Sequence, residues 1–200
     1  MKIVKILGGL GNQMFQYALY LSLQESFPKE RVALDLSCFN GYHLHNGFEL
    51  ERIFSLTAQK ASAAAIMRIA IHVRRGDYIG NQLYQGICDL DYYRAAIDKM
   101  CMYVTPSVFC IFSNDIAWCQ THLQPYLKAP VIYVTWNTGT ESYRDMQLMS
   151  CCAHNIIANS SFSWWGAWLN QNSEKVVIAP KRWLNMDDCQ FPLPASWVKI

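Results

Sequence analysis

The chain has 200 residues, of which 52% are hydrophobic and 16% are charged. This composition is typical of one or two globular domains and excludes an intrinsically disordered chain. A formal net charge of +2 is too small to indicate a protein that binds nucleic acid. No apolar run reaches the roughly 18 residues of a transmembrane helix, and residues 1–9 do not form a convincing secretory signal, because Lys5 interrupts a short apolar run.

The eight cysteines include no CxxC pair. In the absence of a secretory signal they are predicted to be reduced core residues, and a zinc site is not expected because the ligand spacing is missing. His43 and His45 form an HxH pair. We interpret this pair as a loop feature, with metal binding as the alternative.

The first part of the chain is predicted to form a strand, glycine loop, helix and strand. Residues 2–7 and 31–36 have the character of strands, residues 8–11 form a glycine-rich break, and the apolar pattern of residues 12–27 is helical. Such a unit opens many nucleotide-binding α/β folds. The alanine-rich residues 55–70 predict one further helix, which runs almost directly into the next strand.

Residues 69–200 repeat this alternation of strands and helices. Strands are predicted at 69–73, 107–113, 131–135, 155–158 and 175–179, and helices at about 89–101, 115–123, 141–152 and 161–170. Strands that alternate with helices predict a parallel sheet covered by helices on both faces. Ligands of such sheets bind at the carboxyl ends of the strands, where this sequence places its polar residues.

Several side chains that can bind ligands or transfer protons lie at the end of the strand at 69–73 and directly after it. They are His72, Arg74, Arg75 and Asp77, which follow an apolar run. The guanidinium fork donates two parallel hydrogen bonds to phosphate oxygens, so an arginine pair at a strand end indicates a phosphate-bearing substrate. The alternative is a surface ion-pair cluster, in which Arg74 or Arg75 binds Asp77.

The glycine loop is a second candidate site for phosphate. Gly9, Gly11 and Asn12 precede a helix, whose first N–H groups are free to bind an anion. A dinucleotide fingerprint requires a third glycine where Met14 stands, although Asp35 lies 24 residues beyond Gly11. An NAD-binding interpretation therefore remains open.

Two helix starts in the second half carry further candidates. Asp145 either is stabilised by the helix dipole or accepts hydrogen bonds from the N–H and the exocyclic amine of guanine. Ser160 or Ser161 suits the role of N-cap and equally that of phosphate ligand. The tryptophans that follow are interpreted as packing residues, with stacking against a sugar as the alternative. They are Trp164, Trp165 and Trp168.

Four segments in order resemble the α-1,2-fucosyltransferase family. They are residues 8–18 (GGLGNQMFQYA), 72–78 (HVRRGDY), 112–115 (FSND) and 159–166 (NSSFSWWG). The resemblance implies a GT-B architecture, with two Rossmann-like domains. It also implies GDP-β-L-fucose as donor, inversion at the anomeric carbon, the 2-hydroxyl of a galactose-terminated glycan as acceptor, and no metal or other cofactor.

The resemblance also assigns roles by position. Arg74 becomes the clamp on the pyrophosphate, His72 a neighbour of guanine and Asp145 a partner of the guanine edge, while Ser161 and the loop from Gly9 to Gly11 touch the phosphates. The remaining donor-binding candidates are Asn12, Arg75, Asp115, Ser160 and Phe162. As GDP leaves, negative charge develops on the β-phosphate, where Arg74 would stabilise it. Asp77 is the candidate base, with orientation of Arg74 as its alternative role.

The chain departs from the family pattern in two places. Asn114 stands where the family usually carries aspartate, and only about 17 residues separate Phe54 from His72, where the family carries a long segment. A domain usually needs on the order of 100 residues. Residues 1–68 are therefore predicted to be a remnant of the N-terminal, acceptor-side domain, and residues 69–200 to be the GDP-fucose-binding domain.

Three hypotheses about function follow. The first is a bacterial α-1,2-fucosyltransferase, cytoplasmic or loosely associated with the inner face of the membrane, which acts on glycolipid-linked glycans. The second is a non-catalytic remnant that still binds a GDP-sugar. The third is an NAD-type oxidoreductase, which leaves the Arg74 and Ser161 motifs unexplained. An exposed apolar face in the shortened first half would favour dimerisation.

Overall fold

The computed structural model describes residues 1–40, 46–56, 58–60, 67–186 and 191–200. The chain forms two compact units, Met1–Ile66 and Met67–Ile200. The HxH pair at His43 and His45 and the cysteine at Cys189 lie outside the described residues, so their interpretation stays a prediction.

The first unit contains the predicted strand, loop, helix and strand. Its elements are β1 (Lys2–Lys5), α1 (Leu10–Ser26), β2 (Val32–Asp35), a 3₁₀ turn (Ser37–Phe39) and α2 (Leu50–Phe54). The two strands are parallel, with Ile3 opposite Ala33. The small core consists of Val4, Ile6, Tyr20, Val32 and Leu34.

An apolar surface is exposed on α1, as the sequence predicts for the first half of the chain. Phe15 is 82% exposed, and Met14 and Leu19 are each about half exposed. An apolar cavity of about 240 Å³ lies beside it between Met14 and Phe54. Dimerisation through this surface stays a prediction.

The predicted helix at 55–70 is wrong at the described residues. Ser55 ends α2 in a left-handed conformation with φ 52°. Lys60 instead forms a parallel bridge with Leu34, whose N–H donates to the carbonyl of Gln59 at 2.7 Å. The helix propensity of alanine is a local preference, and here the free edge of β2 offers the backbone other partners. Residues 61–66 lie outside the described part of the chain.

The second unit is a six-stranded parallel sheet. Its strands are β3 (Arg68–Val73), β4 (Val108–Ser113), β5 (Val131–Val134), β6 (His154–Ile156), β7 (Val177–Ala179) and β8 (Val198–Lys199). Their spatial order is β5-β4-β3-β6-β7-β8, and every neighbouring pair is parallel. The five predicted strands are present. Two residues are too few for a periodic pattern, so β8 could not be predicted.

Helices cover both faces of this sheet, as the sequence predicts. They are α3 (Leu90–Tyr103), α4 (Ile116–Trp118, continued by a π turn at Cys119–Leu123 and a 3₁₀ turn at Gln124–Tyr126), α5 (Tyr143–Ser150) and α6 (Ser161–Trp168). Along β3, Ile69 and Ile71 pack in one core with α3, whereas Ala70 packs in another with α5. Because successive side chains of a strand point to opposite faces of the sheet, β3 contributes residues to two separate cores.

The chain order creates a crevice at one edge of the sheet. From β3 the chain moves to β4 and β5 on one side, and then crosses to β6, β7 and β8 on the other. At such a reversal the connections leave the carboxyl ends of β3 and β6 in opposite directions, which opens the usual binding position of α/β sheets. The two-domain GT-B architecture and the truncation of the first domain stay predictions.

Two further sequence-based expectations concern the cysteines and the membrane. Among the described residues, the cysteines with free thiols include Cys88, Cys101, Cys110, Cys119, Cys151 and Cys152. Cys101 and Cys151 are exposed, so the expectation that the cysteines are core residues fails there. No helix in the described ranges combines the length and the apolar character that are needed to cross a bilayer.

Candidate functional site

A cavity of about 590 Å³ lies at the carboxyl ends of β3, β4, β5 and β6, within the second unit. Its lining is Arg74, Asp77, Tyr78, Ser113, Asn114, Asn137, Thr138, Gly139, Ser142, Asp145, Ser160, Ser161 and Phe162. The volume falls within the range of roughly 300–1,000 Å³ that is usual for small-molecule sites. Six of the residues that the sequence predicts for the site are therefore brought together here. They are Arg74, Asp77, Asp145, Ser160, Ser161 and Phe162.

Arg74 is held at the edge of this cavity by Asp77. The Nε atom of Arg74 lies 2.8 Å from Oδ1 of Asp77, and its Nη2 atom donates to Oδ2 at 3.0 Å. The hydrogen bonds from Arg74 are the main cause of a lowered pKa of the Asp77 carboxyl. Asp77 is thus a weaker proton acceptor than an isolated aspartate, and its two oxygens orient the guanidinium fork.

The contacts of Asn114 show why an amide suits the position at which the family usually carries aspartate. The Oδ1 atom of Asn114 accepts from the backbone N–H of Arg75 at 2.9 Å, and its Nδ2 lies 3.5 Å from Oδ1 of Asp77. An amide can face Asp77 without the repulsion that a second carboxylate would create. A Cβ at Gly76 would come within 2.5 Å of Nδ2 of Asn114, so a larger residue there would displace the Asn114 amide from its present position.

Arg75 and Asp115 form a separate pair outside the larger cavity. The Nε atom of Arg75 donates to Oδ2 of Asp115 at 3.1 Å, and the guanidinium lies 4.1 Å from the ring centroid of Trp118. The other oxygen of Asp115 accepts from the N–H of Trp118 and caps α4. Both side chains thus have structural partners, and their donor-binding role stays a prediction.

His72 lies behind the cavity wall. Burial, and secondarily the charge of Arg74, lowers the pKa of His72 to about 3, so the ring is neutral near pH 7. Its Nδ1 atom is buried and has no hydrogen-bond partner among the described residues. The ring stands 5.8 Å from that of Phe162, centroid to centroid, and Phe162 lines the cavity. The predicted contact between His72 and guanine stays a prediction.

The start of α6 supplies two of the hydroxyl groups that line the site, those of Ser160 and Ser161. Ser160 occupies the N-cap position, but its side chain makes no capping hydrogen bond, so the N-cap interpretation is wrong for its hydroxyl. Ser161 is the first residue of the helix. Both serines line the cavity at the end of a helix whose first N–H groups point outward, an arrangement that favours an anion.

Asp145, from the first turn of α5, also lines the cavity. Its Oδ1 accepts from Nδ2 of Asn137 at 2.7 Å, while its Oδ2 has no partner in the described ranges. Partial burial raises the pKa of Asp145 above its usual value. The sequence placed Asn137 at a strand end, although nothing in the pattern indicated that it would pair with Asp145.

A smaller cavity of about 220 Å³ adjoins the larger one. Both are lined by Arg74 and Tyr78. The rest of its lining comes from Arg75, Asn159 and the segment 79–89. Sequence reasoning missed this cavity, because the segment contains no recognisable motif.

The glycine loop belongs to the first unit and is described there by itself. Gly9 is the N-cap of α1 and has ordinary negative φ, whereas Gly8 has φ 79°. The Gln13 side chain donates to the carbonyls of Gly8 and Gly47 at 2.9 and 2.8 Å, so the loop is held by the protein itself. The donor-binding roles of Gly9, Gly11 and Asn12 stay predictions.

Asp35 is unsuited to the role that the NAD-binding interpretation gives it. Its side chain is buried, with 4% exposure, and its Oδ1 accepts from the backbone N–H of Ser37 at 2.8 Å. A ribose-binding carboxylate must reach a ligand, whereas this one stabilises the turn after β2. Asp35 therefore does not support the NAD hypothesis, which requires an acidic residue that binds the ribose.

The parallel sheet, its helices and the cavity at the strand reversal define an α/β protein of Rossmann-like character with a candidate ligand site at that reversal. A family model described as Glycosyl transferase family 11 matches residues 54–193. The chain therefore belongs to glycosyl transferase family 11, which confirms the resemblance in its sequence motifs and makes it a transferase by family.

Curated relatives agree with this assignment. The chain is 37% identical to an alpha-1,2-colitosyltransferase of Escherichia coli over 289 aligned positions, which cover 99% of the chain and 98% of that protein. It is also 38% identical to the O-antigen biosynthesis glycosyltransferase WbnK of Escherichia coli. This match extends over 135 residues, which cover 66% of the chain. A rabbit (Oryctolagus cuniculus) galactoside alpha-(1,2)-fucosyltransferase 2 is 29% identical over 104 residues, half of the chain. The match spans only 44% of WbnK and 29% of the rabbit protein.

Proposed function

We propose that this protein transfers L-fucose from GDP-β-L-fucose to the 2-hydroxyl of a terminal galactose, with inversion and without a metal. The observation that carries the proposal is the larger cavity. Its lining combines the guanidinium of Arg74, the hydroxyls and N–H groups of a helix start, and the half-buried carboxylate of Asp145. A nucleoside diphosphate sugar presents the complementary groups, namely a pyrophosphate and a base.

Arg74 would act on the leaving group. Departure of GDP builds negative charge on the β-phosphate, and the sugar ring becomes oxocarbenium-like. A fork that Asp77 already orients through two hydrogen bonds needs little rearrangement to stabilise this charge. The N-terminus of α6 and the Ser161 hydroxyl lie in the same cavity and would support the phosphates. Such cationic help replaces the metal ion that many sugar-nucleotide enzymes use.

We assign Asp77 to positioning Arg74 rather than to the role of base. Its carboxylate is already occupied by the guanidinium and its pKa is lowered, which reduces its ability to take a proton. A transition state with much cationic character in the ring requires little assistance from a base. The role of Asp77 as base remains the alternative.

Asp145 would read the nucleobase. The free Oδ2 atom and the Oδ1 atom held by Asn137 form a carboxylate edge that can accept from both N–H groups of guanine. Uracil offers a single N–H donor, so the same edge would bind it less well. This difference supports GDP as the carrier.

A second candidate differs only in the sugar that is transferred. The relative that aligns along 98% of its length is named as an alpha-1,2-colitosyltransferase, which favours a GDP-colitose donor with the same linkage. Parallel assays with GDP-fucose and GDP-colitose distinguish the two donors by their kcat/KM values.

The proposal includes a GT-B architecture with a shortened first domain, divided as residues 1–68 and 69–200. The alignment with the colitosyltransferase extends over 289 positions, 89 more than the 200 residues of the chain, which supports a missing internal segment. A remnant that binds GDP-fucose without transferring it is the alternative. We also propose that the protein works in the cytoplasm at the inner face of the membrane, where lipid-linked acceptor glycans are assembled.

The test combines binding with turnover. Calorimetric titration with GDP, with UDP and NAD as controls, is expected to give a micromolar Kd for GDP alone, near −8 kcal/mol. Transfer of labelled fucose to lactose then separates the enzyme from the remnant. A folded protein that binds no GDP would refute the proposed donor site, and NAD binding that GDP does not displace would restore the oxidoreductase hypothesis.

A further inference from the structure

The smaller cavity of about 220 Å³ has the size of a site for one sugar ring. Sites for drug-sized ligands usually occupy roughly 300–1,000 Å³, so the cavity is too small for a nucleotide. It shares Arg74 and Tyr78 with the larger cavity. A ligand in the smaller cavity would therefore lie directly beside the group that the proposed function assigns to the leaving phosphate.

The outer wall of this cavity is built into the fold. The segment 79–86 is fixed by Asn185, which lies about 100 residues further along the chain. The Asn185 side-chain amide donates to the carbonyls of Gln82 and Gln85, both at 2.9 Å, and its backbone N–H donates to the carbonyl of Leu83 at 2.8 Å. Because three hydrogen bonds within the protein hold this wall, binding would require little ordering of the loop.

The lining offers the groups that a sugar needs. The rings of Tyr78 and Tyr84 are stacked, with centroids 4.5 Å apart and 18° between their planes, and such rings present apolar surface to the C–H groups of a sugar. The Tyr78 hydroxyl is committed to the carbonyl of Asn159 at 3.1 Å. In the described chain, by contrast, the Tyr84 hydroxyl, the Gln85 side-chain amide and one oxygen of Asp89 have no protein partner.

We propose that the smaller cavity is a subsite for the acceptor sugar, and that it takes the terminal galactose of the acceptor glycan. Tyr84 provides the apolar face and a hydroxyl, while Gln85 and Asp89 bind the ring hydroxyls. The second unit then supplies part of the acceptor recognition that the sequence assigned to the first. That the bound sugar is the acceptor rests on the proposed function, whereas the presence of a sugar site does not.

The test is a titration of the isotope-labelled full chain with lactose, followed by amide NMR spectra with and without GDP. Lactose is expected to shift the amide signals of Gly80, Gln85 and Gly86. Tyr84→Ala and Gln85→Ala are each expected to weaken lactose binding by about tenfold, because each removes a ring face or a hydrogen-bonding group. The Kd for GDP should stay within about twofold.

Two variants keep the test independent of folding defects. Tyr84→Phe retains the stacked ring and removes only the hydroxyl, so it should give a smaller loss than Tyr84→Ala. Tyr103→Ala removes an exposed tyrosine at the end of α3, outside both cavities, and should change neither affinity. The amide spectra report directly whether each variant is folded.

The outcomes separate this inference from the proposed function. Lactose shifts at the loop without GDP binding would support the sugar site and count against the donor site. Three results would overturn the inference: no lactose binding, lactose-induced amide shifts outside the loop, or unchanged lactose affinity in Tyr84→Ala and Gln85→Ala. If GDP still bound in any of these cases, the proposed donor site would be unaffected.

Discussion

Replacement of Arg74 by alanine separates the proposed chemistry from the stability of the fold. The side chain lies at the edge of the larger cavity and makes two hydrogen bonds to Asp77, at 2.8 and 3.0 Å. Arg74→Ala removes these bonds and the cation that would meet the β-phosphate. The two consequences have different expected sizes, which makes the variant informative.

The cost in stability should be small. The side chains of Arg74 and Asp77 are 38% and 57% exposed, so water and salt screen the pair, and such pairs contribute about 0–1 kcal/mol. For a chain of this size that corresponds to a fall in Tm of at most about 4 °C. The unpaired Asp77 carboxylate remains solvated, so no buried charge is created.

The cost in catalysis should be much larger. Loss of one oriented donor at a developing negative charge raises the activation free energy by about 3–4 kcal/mol, a fall of roughly 10²–10³ in kcat. Arg74→Lys should lie between the two, because an ammonium keeps the charge but loses the fork. Fucose transfer to lactose measures the rate, and thermal unfolding measures the stability.

Arg94→Ala is the matched control. Arg94 also forms a surface pair with a carboxylate three residues away in sequence, Asp91, at 3.1 Å, and its guanidinium lies over the ring of Tyr126, away from both cavities. This variant should keep wild-type kcat. If Arg74→Ala retained near-normal turnover, or if it lost activity only because it unfolded, the assignment of Arg74 to the leaving group would fail.

Three further predictions follow from the same site. Asp77→Asn keeps an oxygen for Arg74 and should lower kcat by no more than about tenfold with an unchanged pH profile, since a residue that only positions contributes less than a general base; a loss above about 10³ with a shifted acidic limb would restore Asp77 as the base. Asp145→Ala should weaken GDP binding by about tenfold or more and hardly affect UDP, as calorimetry can measure; equal losses for both nucleotides would contradict guanine reading. His72 has its pKa lowered from 6.5 to about 3 in the folded protein, so between these values the unfolded chain binds a proton that the native chain does not. Stability should therefore fall as the pH falls, by about 2 kcal/mol from pH 6.5 to 5, and His72→Gln should flatten this slope in urea titrations; an unchanged slope would show that other groups carry the acid sensitivity.

The order of the strands and helices along the chain could be predicted largely from the sequence. The alternation of apolar strands with helical segments is a local pattern, and it indicated the parallel sheet of the second unit and its cover of helices. The polar residues that follow the strands indicated the edge at which the cavity lies, because the carboxyl ends of parallel strands meet at one edge. The four motifs indicated the family, since their order and spacing are properties of the sequence itself.

The direction of each side chain could not be predicted in this way. Arg74 and Arg75 are adjacent in sequence, yet the first faces the larger cavity and the second pairs with Asp115 beside Trp118. Local propensity also misled for the helix predicted at 55–70, because Lys60 instead pairs with Leu34 at the edge of β2. These outcomes depend on groups that are distant in sequence.

The sequence by itself thus determined the class of fold, the family and the position of the phosphate-binding candidates, because periodicity, composition and motifs are encoded locally. Only the tertiary structure decided that His72 is buried, that Asn137 holds Asp145, and that a second cavity lies beside Arg74. One wall of that cavity is a loop that Asn185 holds from about 100 residues further along the chain. Contacts of this range arise from the packed sheet, and no local pattern records them.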